Sequence, residues 1–226
     1  MATVLKLSAL WEAADMLPTK EEWIKALTER HGKELQQAFS TAVVAICGLG
    51  GLGSNIAIAL ARAGIGKLIL IDFDRVDITN LHRQQYKADQ IGMYKTVALV
   101  ENLKEIAPYI SLEIHTERIA EDNAVTLLSD ADIICEAFDD AECKAMLTNT
   151  VLTEMRDKYL VAASGMAGLY DANRIKTRKV TSRFYLCGDE MSEVSDGIGL
   201  VAPRVALCAA HQAHTVLRIL AKQFEV

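Results

Sequence analysis

At 226 residues the chain can bury a full core as one domain, and its 51% hydrophobic content is ordinary for an α/β fold covered on both sheet faces. Its 30 acids and 24 bases leave a formal charge of −6, which argues against non-specific nucleic-acid binding. No apolar run reaches membrane-spanning length, and residues 1–10 lack a signal-peptide cleavage signature. The five cysteines (Cys47, Cys135, Cys143, Cys187, Cys208) are odd in number and mostly inside apolar runs, so reduced thiols in a cytoplasmic protein are expected.

Residues 3–16 (Val4, Leu5, Leu7, Leu10, Trp11) have mixed helical spacing. Thr19 then caps a charged amphipathic helix over 20–39, with Trp23, Ile24 and Leu27 on one side. These stretches form a helical extension, 1–40, of a single domain spanning 1–226; Trp11 and Trp23 are expected to pack helices onto the body or onto a second subunit. Strand and helix patterns then alternate: strand 42–47, helix 54–63 closed by Gly64 and Gly66, strand 67–72, an irregular segment 73–91 and helix 93–106 ending before Pro108. Strand 111–115, helix 121–129, strand 132–138, helix 141–156 and strand 159–164 continue the rhythm. It predicts a doubly wound, mostly parallel Rossmann-like sheet with helices on both faces. Residues 173–180 and 183–187 read as an antiparallel pair, 188–200 as a mobile loop rich in Gly, Ser and acids, and 203–222 as a closing helix.

Gly48-Leu49-Gly50-Gly51-Leu52-Gly53 sits between the first strand and its helix, where glycines allow a sharp turn and close approach to a phosphate. The N–H groups and positive dipole end of the following helix would hold the negative charge. Asp72 follows Gly53 by nineteen positions, at the end of the second strand, where a ribose-binding carboxylate belongs. The chain is therefore expected to bind a nucleotide. Asn80, Arg83 and Gln84 follow closely, and Arg83 and Lys95 supply the cations that a triphosphate needs beyond what a helix terminus provides. Asp139 lies just past the carboxyl end of an apolar strand, where a carboxylate can hold magnesium between phosphate oxygens. A nicotinamide-dependent oxidoreductase is the rival owner of such a turn, but no Tyr-x-x-x-Lys pair is formed by Tyr94, Lys95 and Lys87.

Together, Gly-Leu-Gly-Gly-Leu-Gly-Ser, Asp72-Phe-Asp74-x-Val-x-x-x-Asn80-Leu-x-Arg83-Gln84, Gly92-x-x-Lys95 and the strand-end Asp139 resemble the ThiF/MoeB/HesA family, relatives of ubiquitin-activating enzymes. The resemblance covers roughly residues 40 to 220. Ser164-Gly-Met-Ala-Gly168, Tyr185-Leu-Cys-Gly-Asp189 and Ala202-Pro-Arg204 are most similar to a short ThiF branch of thiamine synthesis. It implies adenylation, by ATP and Mg2+, of the C-terminal Gly-Gly carboxylate of a ubiquitin-like (ThiS-like) sulfur carrier, by a homodimer. A molybdopterin-pathway carrier is the alternative. By the same resemblance Gly48, Gly50, Gly51 and Gly53 would contact phosphates and Asp72 the ribose. Asn80, Arg83 and Lys95 would steady the triphosphate with Asp74 and Gln84 nearby, Asp139 would hold the metal, and loop 188–200 would cover the carrier's tail.

The chain departs from the family's pattern in several places. Asp139-Asp140 stands where Asp-Asn is usual, and Asp140 can equally cap helix 141–156. An N-terminal Arg-Tyr-x-Arg-Gln segment is absent, Arg30 being the nearest substitute for an arginine lent to a partner subunit. Phe184 stands three positions before Cys187 and no second Cys pair follows, so no structural zinc is expected. No loop cysteine falls within 192–198, so no covalent enzyme–carrier intermediate is expected; Cys187 fits a strand better than a nucleophile. Asp74 and Asp77 could each be ligand-proximal or turn formers, and His211 and His214, without a third ligand, read as packing residues.

Overall fold

A computed structural model describes residues 17–194 and 197–226; the helix expected over 3–16, with Trp11, lies outside them. The described elements in order are α1 (Lys20–His31), α2 (Lys33–Thr41), β1 (Val43–Cys47), α3 (Gly51–Arg62), β2 (Lys67–Ile71), α4 (Lys95–Ile106) and β3 (Ser111–His115). They continue with α5 (Ala124–Leu128), β4 (Ile133–Glu136), α6 (Ala141–Glu154), β5 (Tyr159–Ala163), β6 (Lys176–Lys179), β7 (Phe184–Gly188) and α7 (Ala202–Leu220). No described helix is long and apolar enough to cross a membrane.

The strands form one sheet in the order β3-β2-β1-β4-β5-β7-β6. All neighbours are parallel except β6 and β7, which pair antiparallel while β7 also extends the sheet beside β5. The chain runs outward from β1 through β2 to β3, then returns to lay β4 on the other side of β1. That reversal opens a crevice at the carboxyl ends of β1 and β4, as in other doubly wound sheets.

Strand residues alternate between two cores, which is why apolar runs without polar gaps form these strands. Val44, Ile46, Leu68, Leu70 and Cys135 pack on one face against Ile56 and Leu60 of α3, Leu99 and Leu103 of α4, and Val216 of α7. Ala45, Cys47, Ile69, Ile71 and Ile134 pack on the other against Leu128 of α5 and Leu147 and Val151 of α6. Trp23 is half-buried against the first of these cores.

Several boundaries differ from expectation, three of them for identifiable reasons. The helix expected over 20–39 is two helices, because Gly32 adopts φ +83, a conformation a helix interior does not contain. The helix expected from residue 54 starts at Gly51, so its first turn lies inside the glycine run. The helix expected over 121–129 shortens to α5 because Asn123 turns back on the preceding loop, its Oδ1 accepting from Ala120 N at 2.8 Å.

Gly53 explains the tight fit of α3 on β1: a Cβ built there would lie 1.8 Å from the Gly48 carbonyl oxygen. Gly53→Ala should therefore lower stability by about 3 kcal/mol through overpacking of a backbone contact that cannot yield. Urea denaturation with an unchanged m value would register it.

Candidate active site

The carboxyl ends of β1, β2, β4 and β5 converge on a cavity of about 660 Å³. Its wall carries Gly48, Gly50, Gly51, Asp72, Asp74, Asn80, Arg83, Gln84, Lys95 and Asp139. Spacing and the family resemblance brought these forward, and the fold brings them together. Gly53 is the exception, since it is buried behind the turn and does not line the cavity; its small size serves packing instead of ligand contact.

The turn entering α3 is held in a shape only glycine fits. Gly48 has φ +91, and a Cβ on it would come within 2.8 Å of the Ala137 carbonyl oxygen. Gly50 caps α3 without any side-chain hydrogen bond, so the first amides of the helix lack an internal partner. An uncapped helix start at the strand ends is suited to an anion.

Asp72 braces that turn. Its Oδ2 accepts from Leu49 N at 2.6 Å and its Oδ1 from Asp74 N at 2.7 Å, while Tyr86 donates its hydroxyl to Leu49 O at 2.7 Å. Burial raises the Asp72 carboxyl above the ordinary range, and Lys95, 3.9 Å away, partly offsets this. Lys95 is itself buried and donates to Asp74 Oδ2 at 2.7 Å. Asp74 is thus placed beside the ligand space. Asp77 instead takes the turn-forming role, accepting from the Thr79 N–H and hydroxyl and absent from the cavity wall.

Arg83 donates through Nη2 to Asn80 Oδ1 at 3.0 Å. Among the described residues its Nε, and Oε1 of the neighbouring Gln84, are buried without a hydrogen-bond partner. Asp139 is exposed and lines the same cavity, and Asp140 beside it is the N-cap of α6, accepting from Cys143 N at 2.8 Å. That bond holds the Asp140 carboxyl below the usual range, so the two acids divide their roles.

Several residues of the site escaped sequence reasoning. Glu136, the last residue of β4, is fully buried, and Lys144 of α6 reaches it at 2.9 and 3.0 Å while also donating to Ala163 O. Burial raises the Glu136 carboxyl despite this pairing. Phe73 and Arg118 occupy the rim beyond Asp72. No periodicity marks such residues, because each contact joins two different elements: β4 to α6 for Glu136 and Lys144, and the segments after β2 and β3 for Phe73 and Arg118.

The loop expected to be mobile over 188–200 is tied at both ends. Asp189 Oδ1 accepts from Met191 N, Ser192 N and the Ser192 hydroxyl, and its Oδ2 pairs with Arg204 Nη2. Arg204 also donates to the carbonyls of Ala167, Tyr170 and Asp171, while Gly168 N donates to Gly199 O and His82 Nε2 lies 3.1 Å from Leu200 O. The three segments that resemble the thiamine branch thus form one clamp at the cavity edge. Ser192, Glu193 and Val194 complete that wall.

Cys187 is buried, and desolvation pushes its thiol up to about 11, the wrong direction for a nucleophile. His211 lies 3.0 Å from the Thr177 hydroxyl, between α7 and β6. Arg30 stands in the last turn of α1, away from the cavity wall.

A glycine turn, a strand-end carboxylate and converging cations stand at the crevice where doubly wound α/β proteins bind their ligands. The ThiF family model matches residues 25–226, and the chain belongs to the ThiF family. It is 28% identical to the adenylyltransferase and sulfurtransferase MOCS3 of Dictyostelium discoideum, over 91% of this chain and 52% of that one. It is 30% identical to the adenylyltransferase and sulfurtransferase uba4 of Aspergillus niger, over 84% of this chain and 42% of that one. The chain thus spans about half or less of the length of these relatives. The fold is that of the Escherichia coli tRNA N6-threonylcarbamoyladenosine dehydratase TcdA solved with ATP, at a TM-score of 0.81 and 22% identity, covering 92% of this chain and 98% of that one.

Burial works to raise the Asp189 carboxyl, but the amide, hydroxyl and Arg204 bonds outweigh it and hold it below the ordinary range. A depressed folded value contributes stability above the unfolded value that is lost as pH falls through the folded one. Asp189→Asn should cost about 3 kcal/mol at pH 7 by leaving Arg204 buried and unpaired. It should also flatten the loss of stability that the native chain suffers below about pH 4. Thermal melts between pH 2.5 and 7 test both parts.

Proposed function

We propose that the chain activates a C-terminal carboxylate with ATP, forming an acyl-adenylate and releasing pyrophosphate, and that the carboxylate belongs to a ubiquitin-like sulfur carrier ending in Gly-Gly. The observation that carries this reading is the convergence of Arg83, Lys95 and Asp139 with the glycine turn and Asp72 in the lining of one cavity. A dinucleotide does not call for so many opposing charges; a triphosphate and an attacking carboxylate do.

The chemistry follows from charge. A carboxylate is already nucleophilic at neutral pH, so no general base is needed. The obstacles are its repulsion from the α-phosphate and the alignment of both groups. The uncapped start of α3 and the Gly48–Gly51 backbone would hold phosphates, Asp72 would accept from ribose hydroxyls with its remaining lone pairs, and Asn80, Arg83 and Lys95 would neutralise the triphosphate. Magnesium fits the donor set: Asp139 offers an exposed carboxylate, and among the described residues no group of three His, Cys, Asp or Glu forms a protein-only cage. That is the pattern for an ion bound through one carboxylate, phosphates and water. When bound, it would withdraw charge from the phosphate oxygens.

The names of the curated relatives, adenylyltransferase and sulfurtransferase, support a sulfur carrier. Within that class a ThiS-like protein of thiamine thiazole synthesis rests on the clamp motifs alone, with a molybdopterin-pathway carrier as the alternative. The burial of Cys187 argues against an enzyme thioester at that thiol. A cytoplasmic homodimer completes the reading; Leu17 and Ile24, exposed beside and on α1, would suit a subunit interface.

Pyrophosphate exchange with purified carrier, ATP and Mg2+ tests the proposal. Arg83→Ala and Asp139→Ala should each reduce exchange by a hundredfold or more (on the order of 3 kcal/mol) while the fold melts normally. Calorimetric titration should show ATP–Mg2+ binding and no NAD binding; the reverse result would favour the oxidoreductase reading.

A further inference from the structure

We propose that His82 is a positioning residue that couples Arg83 to the clamp at Leu200, so that a triphosphate engaging Arg83 fixes the cavity edge. This rests on the reading above that the cavity takes a nucleoside triphosphate.

His82 joins two parts of the cavity lining that stand 118 residues apart in the chain. On one side is the turn over 77–84, where Asn80 N donates to Asp77 O and Gln84 N to Asn80 O. That turn carries Asn80, Arg83 and Gln84 into the lining. On the other side is Leu200, which also lines the cavity. It lies between Gly199, whose carbonyl accepts from Gly168 N in the clamp, and Val201, the N-cap of α7. The imidazole reaches both sides: Nδ1 lies 2.9 Å from Thr79 O and Nε2 lies 3.1 Å from Leu200 O. Carbonyls only accept, so a ring bonded to both carries a proton on each nitrogen.

A third partner makes the bond to Leu200 conditional. Arg83 Nη1 lies 3.3 Å from the same Nε2. A guanidinium only donates, so that contact needs Nε2 bare, whereas the Leu200 carbonyl needs it protonated. Nε2 therefore serves one of the two at a time. Arg83 Nη2 is already held by Asn80 Oδ1, which leaves Nη1 to be shared between the ring and an incoming phosphate. A charge-assisted bond to phosphate is the stronger of the two and draws Nη1 away. Nε2 then takes one proton from solvent and donates it to Leu200 O, while Nδ1–H keeps Thr79 O. His82 is exposed, so water can deliver that proton. Among the described residues Arg83 is the charged group in contact with the ring; Asp77 stands behind Thr79, whose N–H and hydroxyl it accepts. His82 is absent from the cavity lining, so its effect runs through Arg83 and Leu200.

Nitrogen-15 NMR of the full chain labelled at histidine, combined with amide hydrogen exchange, tests the proposal at neutral pH with magnesium ATP as the probe. Magnesium ATP should move the His82 Nε2 resonance from the bare to the protonated range. Exchange at Gly168 and over 199–202 should slow by about fivefold, the scale of one hydrogen bond. His82→Phe, which fills the space without an N–H, should melt as the native chain does and lose that slowing. Because coupling is reciprocal, its ATP affinity should fall by no more than about fivefold. If magnesium ATP binds while Nε2 stays bare, or if His82→Phe keeps the full slowing, the coupling is refuted although nucleotide binding stands. If the native chain binds no magnesium ATP, the nucleotide reading itself fails.

Discussion

The Asp72 carboxylate is the constraint around which the site is built. One oxygen holds the Leu49 amide of the glycine turn, the other the Asp74 amide beyond β2, and the Lys95 ammonium lies 3.9 Å from it. Two strand ends that sequence separates by more than twenty residues are thereby fixed to a single side chain. Burial opposes its charge, so the carboxylate persists because backbone donors and Lys95 share that cost. The uncapped start of α3, the Asp72 carboxylate and the Lys95 ammonium are consequently joined as one unit.

Charge is handled differently around the rest of the cavity. Glu136 with Lys144 and Asp189 with Arg204 are neutralised pairs behind the lining, which of these four only Lys144 reaches; they orient segments and contribute little net field. Arg83 is satisfied only by amide, imidazole and carbonyl-type acceptors, leaving its full charge for a ligand. Asp139 stays exposed because Asp140 takes over the capping of α6. The cavity lining thus holds a guanidinium, Arg83, with no carboxylate partner among the described residues, and an exposed carboxylate, Asp139. In a chain of net charge −6, that uncompensated cation comes from placement rather than composition.

Much of this was legible in the sequence because parallel strands are short, apolar and punctuated by glycine or acid at the sheet's functional edge. Gly48, Asp72 and Asp139 each terminate such a run, so their spacing already encoded the crevice. Boundaries set by single side chains were harder: Gly32 splits a helix whose periodicity is otherwise continuous, and Asn123 shortens α5. Gly53 looked like a ligand contact because motif glycines carry no label saying whether they spare room for a phosphate or for a neighbouring carbonyl. The Asp189–Arg204 pair was hidden for another reason. Its members sit in motifs that read separately, and only the fold reveals that a segment without periodicity is pinned by hydrogen bonds.

That pinning sets where this fold can accept a change of length. Asp189 gathers the amides of Met191 and Ser192, and Arg204 gathers three carbonyls from 167–171, so an extra residue at either place would unthread several bonds together. The glycine turn and Asp72 belong to separate segments from this clamp, so a change of length in one does not pass directly to the other.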